Sequence, residues 1–456
     1  MKRWISALLL TVMILAFTAC TVAPADDKGG GGEIDFYGQE FIFRDGDKGS
    51  DFIFTPGATV HGDMVLARYK EMEDLYNCIF TVETGTSKEM TLAFAIWEHY
   101  TDLMSMRMKH LHSAYTSDYI LPLEDISTID IYSGKYGPTA LLESLQWRGE
   151  TVAFWPAYWG IPTPCFQDSL MYNPRLVKEF GLTDPQELYE KGEWNWANYQ
   201  NMATTVANLV NYNNSEELPV YFSCFDHYTM RLALYSNGAQ LITNNNGKYE
   251  LSLTSTEALE AFNWARDLAK IESFMEYSSV GKTNEAFYTG RMLFLPEYSV
   301  TGIMHSDGKV AANMKEEWYY CYYPIGPSGT KADIEKSYVS EESRFIFACR
   351  LTDDADQLGL VMDLLFEPVY ETEDGWEYNF YDINFHDDFS IEYYKTKWSN
   401  VRFDNSVFLK NHAGMIAEIV DTLAGNGTVS SIEAFVEANG ESLQQEIDDN
   451  INNLKR

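Results

Sequence analysis

The sequence predicts an α/β architecture built as two lobes, and three observations point to it. A chain of 456 residues exceeds what one hydrophobic core usually serves, so its apolar residues are divided between two. From Phe36 onward, short apolar runs alternate with segments of helical spacing, the pattern of a sheet covered on both faces by helices. No apolar run beyond the N-terminus is long enough to cross a bilayer.

The N-terminus itself reads as an export signal over residues 1–19. Lys2 and Arg3 form a charged tip, and the apolar run from Trp4 to Phe17 is too short to span a bilayer stably. Phe17-Thr18-Ala19-Cys20 resembles a lipobox, with Phe17 where leucine is usual, so Cys20 is the expected lipidated first residue of the mature protein. Residues 20–34, polar and glycine-rich through Gly29 to Gly32, read as a flexible tether. The expected location is therefore the extracellular face of the cell membrane, held by the lipid alone.

Charge narrows the partners. Against 33 basic residues stand 68 acidic ones, a net charge of −35. Such a surface opposes nucleic acid and anionic membranes, and it suits solubility. Beyond Cys20 the cysteines are Cys78, Cys165, Cys224, Cys321 and Cys349, far apart and without CxxC. This suggests neither a disulfide framework nor a zinc site, and most of them are expected as small buried apolar groups. Asp45, Asp47 and Asp51 resemble a calcium loop but lack the acid at its twelfth position. The eight histidines show no ligand spacing beyond His110 and His112, so neither metal nor cofactor is expected.

Along the chain, Phe41-Ile42-Phe43 and Phe52-Ile53-Phe54 read as strands. Val65, Tyr69, Met72 and Tyr76 mark a helix, Met90 to Tyr100 another, and Asp102 to Met104 a short strand. Thr254 with Glu257 makes a capping-box pattern ahead of Leu259, Phe262, Ala265 and Ala269. From Val407 the chain reads as nearly all helix, with a second capping box at Ser430 and Glu433 and a last apolar stripe at Leu443, Ile447, Ile451 and Leu454. There is no internal repeat, which argues against an adhesive or structural surface protein.

In the middle of the chain stand Gly160-Ile161-Pro162, Ser169-Leu170-Met171-Tyr172-Asn173, Phe180-Gly181-Leu182 and Trp194-Asn195-Trp196. They are followed in order by Tyr235-Ser236-Asn237-Gly238-Ala239, Gly247-Lys248-Tyr249, Phe287 to Met292, Tyr323 to Pro327 and Leu423 to Val429. Together these segments resemble the family 1 extracellular solute-binding proteins, the sugar-capturing lipoproteins of ABC importers, distantly like maltose-binding protein. Each piece also has a structural reason: prolines stiffen a crossover, Asn173 and Gly181 turn the chain, and Tyr172, Trp194 and Trp196 pack a core.

The resemblance implies a type II periplasmic-binding-protein-like fold, two α/β lobes joined by hinge crossings around a ligand cleft. It puts the N-terminal lobe at 35–160 plus 347–400 and the C-terminal lobe at 161–346 plus 401–456. Crossings are expected near Tyr158 to Cys165, Arg344 to Cys349 and Trp398 to Asn405. The implied function is capture of a carbohydrate, an oligosaccharide above all, and its delivery to a membrane permease by a monomer without enzymatic activity.

A sugar ring has apolar C–H faces and a hydroxyl rim, so it needs aromatic platforms and side chains that fork hydrogen bonds. Trp155, Tyr158 and Trp159, which lead into the first crossing, are the candidate stacking wall, and Tyr298, with Glu297, stands where relatives stack on sugar. Arg107 is a candidate cationic fork, Asp226 and His227 candidate hydroxyl partners, and Trp398 a candidate by position, as are Gln167 and Asp168 at the hinge exit. Two alternatives remain open. One is a secreted glycoside hydrolase, since no carboxylate pair is singled out or excluded. The other is a binding protein for a non-sugar solute.

Overall fold

A computed structural model describes residues 34–46, 52–156, 159, 169–213, 219–276, 279–297, 309–339, 343–369, 381, 385–409, 411–425 and 430–453. The export signal, Cys20 and nearly all of the tether lie outside the described residues, as do Tyr158, Cys165, Gln167, Asp168 and Tyr298.

In chain order the strands are β1 (Glu40–Gly46), β2 (Ile79–Gly85), β3 (Leu103–Arg107), β4 (Ile120–Leu121), β5 (Gln146–Trp147), β6 (Glu150–Thr151), β7 (Ser169–Tyr172) and β8 (Ser223–Phe225). They continue as β9 (Ile242–Asn245), β10 (Lys248–Leu251), β11 (Phe274–Glu276), β12 (Phe294–Glu297), β13 (Tyr319–Cys321), β14 (Ser337–Tyr338), β15 (Arg344–Cys349) and β16 (Val401–Arg402). Two sheets carry the architecture. The first has the order β2-β1-β3-β15-β4. In the second, β11 pairs with β8 and β12-β7-β13 form a ladder. A bridge between Tyr221 and Met292 and a bond from the Phe294 amide to the Phe222 carbonyl at 2.8 Å join them as β11-β8-β12-β7-β13.

The two lobes repeat one plan. In each, the fourth strand runs antiparallel to its neighbours, β15 against β3 and β4, β7 against β12 and β13. In each, that strand is the one delivered by a chain segment arriving from the other lobe. The crossings are also tied to one another. Phe154 and Ile346 exchange both backbone hydrogen bonds at 2.9 Å, and β14 pairs in parallel with β16 through Ser337–Val401 and Tyr338–Arg402.

Local chemistry explains the elements. The helix Val60–Tyr76 starts where the Thr59 side chain accepts from the Gly62 amide, buries Val65, Tyr69 and Met72, and stops at Asn77 in a left-handed conformation, φ 48°. The helix Ser87–Ala95 opens with a capping box of Thr86 and Glu89. The helices Thr256–Leu268 and Ile432–Ile447 start one residue later than their sequence pattern suggests, capped by Ser255 and Ser431. The motif residues pack and turn the chain. Tyr172 Oη donates to Asp184, Asn173 caps the helix Pro174–Glu179, and Gly181 sits at φ 63°. Trp194 Nε1 donates to the Tyr322 carbonyl at 2.7 Å, and Trp196 stacks on Trp264 at 4.3 Å.

Three expectations are corrected. Phe52-Ile53-Phe54 is a loop, because the Phe52 amide and carbonyl are taken by the Asp45 carboxylate and the Tyr69 hydroxyl instead of a neighbouring strand. The lobe boundary at 346/347 cuts β15, all of which belongs to the first sheet, so the return crossing precedes Arg344. Residues 347–400 are not all in the first lobe either. The helix Ala355–Leu365 packs against Val60–Tyr76, but the helix Asp388–Ser399 packs on β13 of the second lobe, where Tyr393 stacks on Tyr320 at 5.2 Å and Ser390 Oγ accepts from the Tyr320 amide. Cys78, Cys224, Cys321 and Cys349 are buried free thiols whose pKa values burial pushes up, that of Cys78 to about 11.

Gly329 follows the turn after β13, and a Cβ there would collide with the Ser236 backbone carbonyl, which has no rotamer to escape into. Gly329→Ala is therefore expected to destabilise the second lobe by about 1–3 kcal/mol, read as a lower urea midpoint. An unchanged midpoint would mean that this packed corner gives way freely.

Candidate functional site

In open α/β sheets, ligands collect outside the carboxyl ends of the parallel strands. In the first lobe those ends are Gly46, Gly85 and Arg107, and in the second Phe225, Glu276 and Glu297. The antiparallel strands start at the same edges, with Arg344 opposite Arg107 and Ser169 opposite Glu297. Each lobe thus presents one edge rich in charged and hydroxyl groups next to the crossings.

On the first edge Asp45 is fully buried and paired. Its Oδ1 accepts from Arg344 Nη1 at 2.8 Å, its Oδ2 accepts from the Phe52 amide, and Arg344 Nη2 donates to the Gly46 carbonyl at 2.7 Å. Directly across the ladder, half-buried Arg107 occupies the position before the helix Met108–Thr116. The Met108 amide donates to the Ser343 carbonyl, which ties this helix to the return crossing. The candidate Arg107 therefore lies on the edge as expected, beside an arginine and an aspartate that sequence spacing does not connect.

On the second edge Asp226 is 2 % exposed and caps the helix His227–Ser236, accepting from the Tyr228 and Thr229 amides at 2.9 and 3.1 Å. Burial first, and then the charge of Glu297, push its carboxyl up to about 7, against the pull of those two amides. Glu297, also 2 % exposed, ends β12, and its carbonyl accepts from the Ser169 hydroxyl at 2.6 Å. His227 is half-buried, with its ring 4.0 Å from that of Tyr228. Asp226, His227 and Glu297 are thus assembled at one edge although 71 residues separate the first and last in sequence.

The aromatic candidates fare differently. Trp155 is 4 % exposed and packs edge-on against Phe52 and Phe345. Trp159 is fully buried among Phe52, Tyr69 and Phe366, and its indole N–H is spent on the Leu365 carbonyl at 2.7 Å. The expected stacking wall is in these two positions a core, because a large flat apolar surface meets both demands equally and the indole N–H has found a partner inside. Trp398, 7 % exposed, lines a separate 480 Å³ pocket with Pro138, Thr139 and Glu143, away from the strand ends. Among the described residues no cluster of His, Cys, Asp and Glu suits a metal ion, and no helix is long and apolar enough to cross a membrane.

Two outcomes follow. Trp159→Ala is expected to cost about 3–5 kcal/mol in urea unfolding; a smaller loss would mean that the indole belongs to a ligand surface. For Asp226, the folded carboxyl titrates near 7 and the unfolded one near 3.8. In that window the native state holds the extra proton, so this group's contribution to stability falls as pH rises. Asp226→Asn keeps the cap and should lose less stability than the wild type between pH 5 and 8. Identical pH profiles of the two proteins would contradict a buried, elevated carboxyl.

Neither a family model nor a curated protein matches the sequence. Solved structures do match. The cyclic α-maltosyl-1,6-maltose binding protein of Arthrobacter globiformis superposes with a TM-score of 0.64 at 13% identity, over 90% of this chain and 100% of that one. The GacH receptor of Streptomyces glaucescens gives 0.57 at 13% identity, over 90% and 99%. The galacto-N-biose/lacto-N-biose I-binding protein of a Bifidobacterium longum ABC transporter gives 0.56 at 12%, over 92% and 99%. The chain has the two-lobed α/β fold that these binding proteins share.

Proposed function

We propose that the protein is the substrate-binding subunit of an ABC importer, lipid-anchored through Cys20 on the extracellular face of the membrane. It captures an oligosaccharide between its lobes and passes it to a permease. The observation that carries this reading is likeness over nine-tenths of the chain to structures whose proteins bind cyclic α-maltosyl-1,6-maltose, acarbose and lacto-N-biose. The strand ends support it in chemical terms. Arg107 places a guanidinium on one edge, and Asp226 and Glu297 place carboxyl groups on the other, a combination suited to a neutral hydroxyl rim. Two buried acids on one edge disfavour an anionic sugar. A ligand touching both edges does so only when the lobes approach, so closure is the bound state.

The test is a thermal-shift and calorimetric screen of the chain without its first 19 residues against neutral, amino and acidic oligosaccharides, with peptides as controls. A neutral oligosaccharide at a hundred times its dissociation constant should add about 2.7 kcal/mol of stability and be recovered unaltered. Tyr298→Ala should weaken that binding by about 1–3 kcal/mol while unfolding stays cooperative. Recovery of cleaved sugar would replace this reading with a hydrolase, and a response to peptides alone would remove the carbohydrate.

A further inference from the structure

A second groove lies between the lobes on the side of the hinge away from the strand ends. The helices Met108–Thr116 and His227–Ser236 both start at the candidate cleft edges, directly after β3 and β8, and run away from them. At 1.5 Å per residue they carry the chain roughly 13–15 Å. The groove stands at their far ends. On the first-lobe side, Tyr115, in the last turn of its helix, donates its hydroxyl to the carbonyl of Trp147, beside Gln146. On the second-lobe side, Gly238, Gln240 and Thr243 follow Ser236. The paired strands β14 and β16 line the groove through Tyr338 and Arg402.

The groove holds about 450 Å³, within the roughly 300–1,000 Å³ of small-molecule sites. Its lining is polar and nearly balanced in charge. Glu143 and Gln146 come from the first lobe, Thr243 from the second, and Arg402 and Asn405 from β16 and the residues just after it. Lys336 also lines it, but its charge is met by Asp333 Oδ1 at 2.9 Å. Among the described residues Arg402 makes a single donation, from Nη1 to the Val401 carbonyl at 3.2 Å, which leaves most of its five donors for a guest. The side chains of Glu143, Thr243 and Asn405 make no hydrogen bond to another described residue. An exposed carboxylate, a hydroxyl, amides and a guanidinium match a small neutral molecule with many hydroxyls.

We propose that this groove is a second binding site, outside the main cleft, for a polyol or a sugar of one or two rings. The site stands on its own lining and does not depend on the solute-binding reading above.

The test uses the chain without its first 19 residues, titrated calorimetrically with myo-inositol and with glucose. Wild type should show a binding event that Arg402→Ala weakens at least tenfold and that Thr243→Trp, which fills the groove, abolishes, while Tyr298→Ala retains it. No event in wild type, or an event unchanged in both groove variants, overturns the site. A protein that binds myo-inositol here but no oligosaccharide in its cleft disproves the importer reading and leaves the groove site standing.

Discussion

The architecture depends on strand exchange at the hinge. Each sheet is completed by an antiparallel strand that arrives from the other lobe, β7 in one direction and β15 in the other. A sheet lacking its fourth strand would leave buried amides and carbonyls of its neighbours unpaired, at a cost comparable to losing those hydrogen bonds outright. Neither lobe is complete without the crossings, so the crossings are fixed where they enter each sheet. The mutual bonds of Phe154 and Ile346 and the pairing of β14 with β16 hold the segments together. The charged strand ends Arg107 and Arg344 on one edge, and Glu297 on the other, lie at the ends of these exchanged strands and their neighbours.

The buried charges at those ends are handled in two ways. Asp45 is neutralised by a guanidinium that also satisfies a backbone carbonyl, so the pair is bound into the β1–β15 edge. Asp226 meets two backbone amides and a neighbour of its own sign, which leaves its carboxyl poised near 7. The first arrangement stabilises a fixed shape. The second holds an acid whose charge responds to what enters: hydroxyl donors would favour the ionised form and anions would disfavour it.

Much of the fold is legible locally. The spacing of Val65, Tyr69 and Met72 dictates a helix, and the alternation of elements dictates a sheet covered on both faces. What fails locally is any feature decided by a distant partner. Phe52 to Phe54 has strand composition, yet Asp45 and Tyr69 take its backbone groups. The helix Asp388–Ser399 has a clear pattern, but its place in the second lobe is set by Tyr320, and no spacing rule connects the two. The same limit divides the site. Asp226, just after β8, and Glu297, the last residue of β12, are candidates that local sequence can offer, whereas the partnership of Asp45 with Arg344 spans 299 residues and leaves no trace in either neighbourhood.

The tryptophans show why composition alone misleads about ligands. A sugar platform and a core filler are both large, flat and apolar, so residue type cannot separate them. The polar atom can. An indole in a binding wall keeps its N–H for ligand or water, whereas that of Trp159 is taken by the Leu365 carbonyl and that of Trp194 by the Tyr322 carbonyl. Arg402 is the converse, a side chain of five donors with one engaged among the described residues, in a groove lined from both lobes. An indole N–H spent on an internal carbonyl therefore assigns Trp159 and Trp194 to packing where hydrophobicity does not, and what marks the groove at Arg402 is how little of its guanidinium is engaged among the described residues.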